Sequence, residues 1–253
     1  MTASTVGVLH PGEMGSALAE ALRAGGHNVL WASADRSDAT AGRARGAGLE
    51  DGGSAGEVAR RSEVIFSVCP PHAAAAVARS IAGFEGIFVD ANAIAPATAK
   101  TIAAEHARVV DGGIIGPPPR TAGTTRLYLS GPEAQAVAAL FAGGPVDARV
   151  LSDTIGDASA LKMVYAAWTK GTAALLLAIR EVARANGLEE SLLDEWRLSL
   201  PDLPEQLQRA ARSATAKGWR WVGEMEEIAA TFAASGQPDG FHRAAAEVFR
   251  ATN

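Results

Sequence analysis

The stretch Thr5-Val6-Gly7-Val8-Leu9-His10-Pro11-Gly12-Glu13-Met14-Gly15 decides the fold of this chain. An apolar strand leads into a glycine-bearing turn, and the turn opens a helical run from Ser16 to Leu22. This order is the setting of a dinucleotide fingerprint, because N–H groups and the dipole at a helix start favour a pyrophosphate. Gly12 lets the backbone approach phosphates, and Gly15 lets helix and strand pack closely. Since His10 replaces the first glycine of the usual pattern, an ordinary strand-to-helix turn stays open as the alternative.

Composition restricts the class of protein. The chain has 253 residues, 48% of them hydrophobic and 20% charged, which is typical of a globular protein with one large or two modest domains. A net charge of -5 argues against a nucleic-acid partner. The single cysteine, Cys69, excludes an internal disulfide and suits a reducing compartment. The longest apolar run, 171–179, is too short to span a bilayer. Because no signal-peptide pattern is visible either, we expect a cytoplasmic protein without a membrane partner.

Strand-like and helical segments alternate through the first half of the chain. This pattern predicts an α/β fold, a Rossmann-type doubly wound parallel sheet that forms a dinucleotide-binding domain over residues 1–152. Gly, Ala and Ser dominate residues 33–56, where we expect only short or weakly determined helices. The further predicted strands are 27–32, 64–68, 86–90, 109–111, 125–130 and 146–151, and the predicted helices are 72–81, 96–105 and one after Pro132.

The second half of the chain has a different pattern. Residues 157–186 contain no proline, and their apolar positions follow a helical period. About 30 residues at 1.5 Å each predict a helix of about 45 Å. Further helices are predicted at 190–198, 203–216, 221–235 and 241–251. We therefore predict an all-α domain over 153–253 that begins with a long interdomain helix and serves substrate binding and dimerisation.

The end of the second strand indicates the type of cofactor. An enzyme that uses NAD usually has an acidic residue there, which binds the ribose 2′-hydroxyl. Here Ser33, Arg36 and Ser37 follow the strand. A guanidinium and hydroxyl groups suit a 2′-phosphate, so we predict NADP. NAD is the less favoured cofactor, and it stays open because Asp35 lies in the same turn.

Four motifs, in this order, resemble those of the β-hydroxyacid dehydrogenase superfamily, which includes 6-phosphogluconate and 3-hydroxyisobutyrate dehydrogenases. Residues 10–15 stand where that family has G-x-G-x-M-G, and residues 90–96 are similar to its D-x-S-T-I-S-P. Residues 111–116 stand where D-A-P-V-S-G binds substrate, and residues 155–163 resemble the helix start with the catalytic lysine. The resemblance extends from residue 5 to about residue 185. The remainder resembles a divergent C-terminal domain of poorly characterised members.

The resemblance implies an NADP-dependent oxidoreductase that transfers a hydride between nicotinamide and a hydroxyl or carbonyl substrate of low molecular mass. Lys162 is the implied general acid/base, and desolvation in a crevice between domains would lower its pKa. The five histidines have no ligand spacing, so no metal is expected. The implied cofactor-binding residues are His10, Pro11, Gly12, Glu13, Met14, Ser33, Arg36, Ser37, Cys69, Pro70 and Asn92. The implied substrate residues are Asn92, Ile114, Ile115, Gly116, Tyr165 and Trp168.

The chain also departs from the family pattern. Ile115 replaces a serine of the substrate loop, and Tyr165 and Ala166 replace two asparagines after the lysine. Those polar groups normally hold the substrate, so we do not expect a small 3-hydroxy acid in the usual pose. Two alternatives stay open, an imine reductase of the same architecture and a non-catalytic dinucleotide-binding regulatory protein. Because the apolar stripe of the long helix exceeds what the first domain should cover, we predict a homodimer.

Overall fold

The structure, a computed structural model, describes residues 3–252. In this part of the chain one eight-stranded sheet has the order β3-β2-β1-β4-β5-β6-β7-β8. Neighbouring strands are parallel except β6 and β7, which are antiparallel. The strands are β1 (Thr5–Val8), β2 (Asn28–Trp31), β3 (Glu50–Asp51), β4 (Val64–Ser67), β5 (Ile87–Asp90), β6 (Val109–Ile115), β7 (Thr125–Ser130) and β8 (Val146–Ser152).

Helices follow most of the strands and cover the sheet. They are α1 (Glu13–Ala24), α2 (Asp38–Gly46), α3 (Ala55–Arg61), α4 (Ala74–Arg79, after a 3-10 turn at Pro71–Ala73), α5 (Pro96–Ala103) and α6 (Ala134–Ala139). Two clusters of buried apolar side chains line the sheet. Every residue of β4 and β5 is buried, as expected of central strands covered on both faces.

The rest of the chain is helical. It comprises α7 (Asp157–Ala185), α8 (Glu189–Ser199), α9 (Leu203–Ala234) and α10 (Gly240–Ala251). Internal packing divides the described residues into a sheet unit, 3–162, and a helical unit, 163–252. The division falls inside α7, so the first turns of this helix pack with the sheet. The domain boundary predicted near residue 152 stays a prediction. Among residues 3–252 no helix is both long and apolar enough to cross a membrane.

The predicted fold class is confirmed, with one difference in strand direction. β6 continues four residues beyond its predicted end at Asp111 and forms an antiparallel hairpin with β7. Gly116 makes the turn possible, because its φ of +125° suits glycine and a Cβ there would lie 2.2 Å from the Thr124 carbonyl oxygen. The Thr125 hydroxyl donates to the Pro117 carbonyl oxygen at 2.5 Å and closes the hairpin.

The prediction of two helices at 203–216 and 221–235 is wrong, because α9 runs without a break from Leu203 to Ala234. The gap between the two predicted helices, 217–220, contains Gly218. Glycine inside a helix costs only about 1 kcal/mol relative to alanine, and Gly218 is buried. Packing within the helical unit therefore outweighs the local preference of this residue.

Candidate cofactor and substrate site

The turn between β1 and α1 leaves the start of α1 open to a ligand. Gly12 is the N-cap, no side chain of residues 3–252 caps the helix, and the Ser16 N–H donates to the Gly12 carbonyl oxygen at 2.9 Å. A Cβ placed on Gly12 would have no atom within 4 Å, whereas a Cβ on Gly15 would lie 2.3 Å from the His10 carbonyl oxygen. Gly12 therefore faces open space, and Gly15 is required by the close packing of α1 on the turn.

The α1 start also lies at the topological switch point of the sheet. β1 pairs with β2 on one side and with β4 on the other, so the order of the strands reverses between β1 and β4. Open α/β sheets bind ligands in the crevice outside the carboxyl ends of the strands at this point. The predicted cofactor residues follow β1, β2, β4 and β5, and thus share this edge of the sheet.

The side chain of Arg36 lies near His10 and Cys69 at this edge. Burial, and after it the charge of Arg36, lower the pKa of His10 from 6.5 to about 4, so the imidazole is neutral at pH 7. Burial raises the pKa of the Cys69 thiol to about 12, and the Arg36 charge opposes this rise. Cys69 is therefore a protonated thiol at neutral pH, unlike an activated nucleophile. His10 Nδ1 and Arg36 Nε are buried and have no hydrogen-bond partner among the described residues.

The hydroxyl groups predicted to bind the cofactor at its ribose also form hydrogen bonds within the protein. The Ser33 hydroxyl bonds the Asp51 carboxylate and thereby lowers the pKa of Asp51. The Ser37 hydroxyl caps α2 by accepting from the Thr40 N–H at 3.3 Å. Sequence reasoning missed a second guanidinium, that of Arg43, whose Nε donates to the Pro11 carbonyl oxygen at 3.2 Å. The position of Arg43 soon after the second strand could have indicated this role. The Gly- and Ala-rich composition of residues 33–56 made the helix that carries Arg43 hard to predict.

Asn92 holds the loops after β4 and β5 together. Its Oδ1 accepts from the Cys69 N–H at 2.6 Å, and its Nδ2 donates to the Ser67 hydroxyl at 3.0 Å. Its own N–H donates to Asp90 Oδ1 at 3.0 Å. The Asn92 side chain is buried, and its hydrogen bonds fix the shape of the Cys69-Pro70 loop.

Asp111, on β6, anchors the start of α7. Its Oδ2 accepts from the N–H groups of Gly156 and Ser159 at 3.0 and 2.9 Å and from the Ser130 hydroxyl at 3.0 Å. Its Oδ1 accepts from the Ser159 hydroxyl at 2.6 Å. A buried carboxylate at a helix N-terminus also interacts favourably with the helix dipole. The first turn of α7 is therefore fixed to β6 and β7.

Gly113 brings α7 close enough to β6 to place Lys162. A Cβ on Gly113 would lie 2.7 Å from the Ala158 carbonyl oxygen and 3.1 Å from the Lys162 Cβ. Because Asp111 pairs in register with Asp90, the last residue of β5, Gly113 lies beyond the carboxyl end of β5. The Cβ of the half-buried Lys162 thus lies at the same edge of the sheet as the predicted cofactor residues.

The remaining predicted substrate residues have different settings. Ile114 and Ile115 are buried, and Ile114 belongs to an apolar cluster beside the sheet. Gly116 forms the hairpin turn described above. Tyr165 and Trp168 belong to the helical unit and are exposed, Trp168 by 74%. Among residues 3–252 no group of three or more His, Cys, Asp or Glu side chains could hold a metal ion.

Family models match two parts of the chain. Residues 5–93 match the model described as NADP oxidoreductase, coenzyme F420-dependent. Residues 183–252 match a domain of unknown function, DUF1932. A curated relative, an uncharacterized 28.5 kDa protein of Methanothermus fervidus, is 32% identical over 141 residues. That alignment covers 54% of this chain and 55% of the relative, so it spans about half the length of the curated protein.

Solved structures share the fold over nearly the whole chain. A conserved protein of unknown function, described as structurally similar to 3-hydroxyacid dehydrogenases, has 28% identity and a TM-score of 0.68 over 98% of this chain and 96% of its own. The 3-hydroxyisobutyrate dehydrogenase of Mycobacterium tuberculosis has 16% identity and a TM-score of 0.71 over 99% and 94%. An Aspergillus terreus reductive aminase has 19% identity and a TM-score of 0.62 over 99% and 94%. The fold of this chain is thus similar to that of β-hydroxyacid dehydrogenase-like proteins, with an all-α region at the C-terminal side.

Proposed function

We propose that this protein is an NADP-dependent oxidoreductase that acts on a hydroxyl or carbonyl substrate with Lys162 as general acid/base. Homologous folds are those of dehydrogenases and reductases, which supports an NAD(P)-dependent oxidoreductase. The observation that carries the finer proposal is the anchoring of α7 by Asp111. It holds Lys162 against Gly113, at the edge of the sheet where the uncapped start of α1 lies.

The residues at that edge fit a dinucleotide. The open space beside Gly12 and the uncapped start of α1 suit a pyrophosphate. The buried Arg36 Nε, which has no hydrogen-bond partner among the described residues, offers a donor beside the neutral His10. The loop held by Asn92 would line the nicotinamide end, with Cys69 and Pro70 in contact.

Lys162 supplies the proton transfer in this proposal. A bound nicotinamide provides or accepts the hydride. In the oxidation direction the Lys162 amine accepts the proton of the substrate hydroxyl, and in the reduction direction the ammonium donates a proton to the developing alkoxide. The Lys162 Cβ lies close to Gly113, since a Cβ on Gly113 would approach it to 3.1 Å. Asp111 acts on this step only through the position of α7 and is a positioning residue.

The proposed substrate contacts in the sheet unit are Asn92 and the backbone of 114–116, and the roles of Tyr165 and Trp168 stay predictions from the sequence. Because Ile114 and Ile115 are buried, their contribution is through backbone groups. The substrate loop lacks the serine of the family pattern, which favours a substrate with more apolar surface than a small 3-hydroxy acid. A panel of alcohols, carbonyls and imines tests the reaction class. Turnover of imines alone would favour an imine reductase, and NADPH binding without any turnover would favour a non-catalytic protein.

The preference for NADP over NAD rests on Arg36. Its guanidinium can donate two charge-assisted hydrogen bonds to a 2′-phosphate, which NADH lacks. We expect Arg36→Gln to weaken NADPH binding by about 10- to 100-fold and to leave NADH binding nearly unchanged. Arg45→Gln is the matched control, because Arg45 is an exposed arginine of α2. Titration of both cofactors by fluorescence measures these affinities, and equal losses for NADPH and NADH would contradict the assignment.

A homodimer built on α7 completes the proposal. Within the helical unit the exposed apolar residues of α7 recur at helical spacing, which places them on one stripe. Exposed stripes of this kind mark protein interfaces more often than isolated exposed side chains do. The stripe consists of Tyr165, Trp168, Leu175, Ile179 and Val182.

A further inference from the structure

A pocket of about 350 Å³ lies inside the helical unit, where residues from α7, α8 and α9 converge. Its charged lining consists of Arg180, Arg197, Arg212 and Glu189. Three arginines and one glutamate give this lining a formal charge of +2, in a chain whose net charge is -5. We call it the three-arginine pocket. Its volume is in the range of small-molecule sites.

The carboxylates of the chain neutralise this pocket only in part. Arg180 Nη2 donates to Glu181 Oε1 at 3.0 Å, and Arg197 forms an ion pair with Asp194. Arg180 Nε lies 4.0 Å from Glu189 Oε1, which is beyond hydrogen-bond distance. That buried nitrogen has no hydrogen-bond partner among residues 3–252. A buried donor without an acceptor costs free energy, so an acceptor supplied by a ligand would be favourable.

Arg212 adds a guanidinium that has no carboxylate partner among residues 3–252. Within the described part of the chain no hydrogen bond or ion pair involves this exposed side chain. Like charges on neighbouring arginines repel, and an anion between them removes the repulsion. Guanidinium groups bind carboxylate and phosphate groups through paired hydrogen bonds.

The other walls of the pocket are mostly apolar, and Gln208 is the one uncharged polar residue in the lining. Leu207, on α9, is buried, and Leu193, on α8, is half buried. Apolar walls with a few convergent polar groups are typical of sites that bury the body of a ligand and orient its polar end. An inorganic anion would use only the arginines and would leave these leucines without a role.

We infer that the three-arginine pocket binds an organic anion, with a carboxylate or phosphate group at the arginines and an apolar body against Leu193 and Leu207. This site belongs to the helical unit alone and does not depend on the proposed oxidoreductase activity. Its ligand class differs from a dinucleotide, because the apolar walls favour an aliphatic body.

Calorimetric titration of the full-length protein with hexanoate tests the inference, with hexanol, acetate and inorganic phosphate as comparison ligands. We expect hexanoate to bind more tightly than each of these three. Arg212→Gln should weaken hexanoate binding about tenfold, because it removes a charge-assisted hydrogen bond. Arg209→Gln is the matched control. Arg209 is an exposed arginine one turn away on α9 that pairs with Glu205, so its loss should change the affinity less than twofold.

Several outcomes would overturn the inference. One is that the wild type does not bind hexanoate, and another is that it binds hexanol, acetate or phosphate as tightly as hexanoate. A third is that Arg212→Gln and Arg209→Gln lose the same affinity for hexanoate. Amide chemical shifts provide an independent readout, because hexanoate should shift the Leu193 and Leu207 signals more than those around Gly12. The reverse result would also overturn the inference. Since binding is measured without turnover, failure of the proposed enzymatic function would not change these results.

Discussion

Replacement of Asp111 by asparagine should destabilise the protein and displace the start of α7. The carboxylate accepts four hydrogen bonds, three on Oδ2 and one on Oδ1. An asparagine oxygen can keep the three bonds of Oδ2, but each loses its charge-assisted part, about 1 kcal/mol, and the amide NH2 can donate to the Ser159 hydroxyl in place of the fourth bond. The loss of negative charge at the N-terminus of α7 adds up to about 1 kcal/mol. We therefore expect Asp111→Asn to lower the free energy of unfolding by about 3–4 kcal/mol.

Thermal and urea unfolding measure this change. For a unit of this size, 3–4 kcal/mol corresponds to a fall in Tm of about 6–15 °C. Asp147→Asn is the control, because Asp147 lies at the surface on β8 and its solvent-screened ion pair with Arg149 contributes little to stability. Hydrogen exchange should also speed up at the Gly156 and Ser159 amides in Asp111→Asn. A variant with native Tm and native exchange at these amides would refute the anchoring role.

Two further predictions concern pH dependence and assembly. The folded pKa of His10, about 4, lies below its ordinary value of 6.5, so between these pH values the unfolded chain binds a proton that the folded chain does not. The free energy of unfolding should therefore fall as the pH drops from 6.5 to 4. His10→Gln should make this dependence on pH weaker. Equal dependence in wild type and variant would contradict the burial of a neutral His10. In light scattering we expect a particle of twice 25.9 kDa at micromolar concentration, and Trp168→Glu should favour the monomer. A wild-type mass of 25.9 kDa would rule out the dimer.

The sequence was sufficient to predict seven of the eight strands, because strand and helix periods alternate and the turn at Gly12 is explicit, whereas the two-residue β3 was not predicted. The sequence also contains a sign of the antiparallel hairpin. The connection from 116 to 124 contains three prolines and is too short for a crossover helix, whereas parallel neighbours need a dozen or more residues. The continuous α9 was missed because a local glycine signal at Gly218 was given more weight than packing.

The contacts of the candidate site could be predicted only in part. A motif suggests that Asp111 and Lys162 belong to one site, but the partners of Asp111 on β7 and α7 are distant in sequence and follow from packing. The same holds for Arg43, whose contact with Pro11 joins the helix after β2 to the turn after β1. Composition gave no sign of the three-arginine pocket, because its arginines are spread over three helices.

The central claim is that Lys162 transfers the proton, and the kcat of Lys162→Met relative to wild type tests it most directly. Methionine keeps the aliphatic stem beside Gly113 and removes the charge. Lys100→Met is the control, because Lys100 is an exposed lysine of α5 whose stem lies beside Gly156. With a substrate that the wild type converts, Lys162→Met should lose about 10²–10⁴-fold in kcat and keep its NADPH affinity and Tm, while Lys100→Met keeps its kcat. Full kcat in Lys162→Met at native Tm would contradict the account.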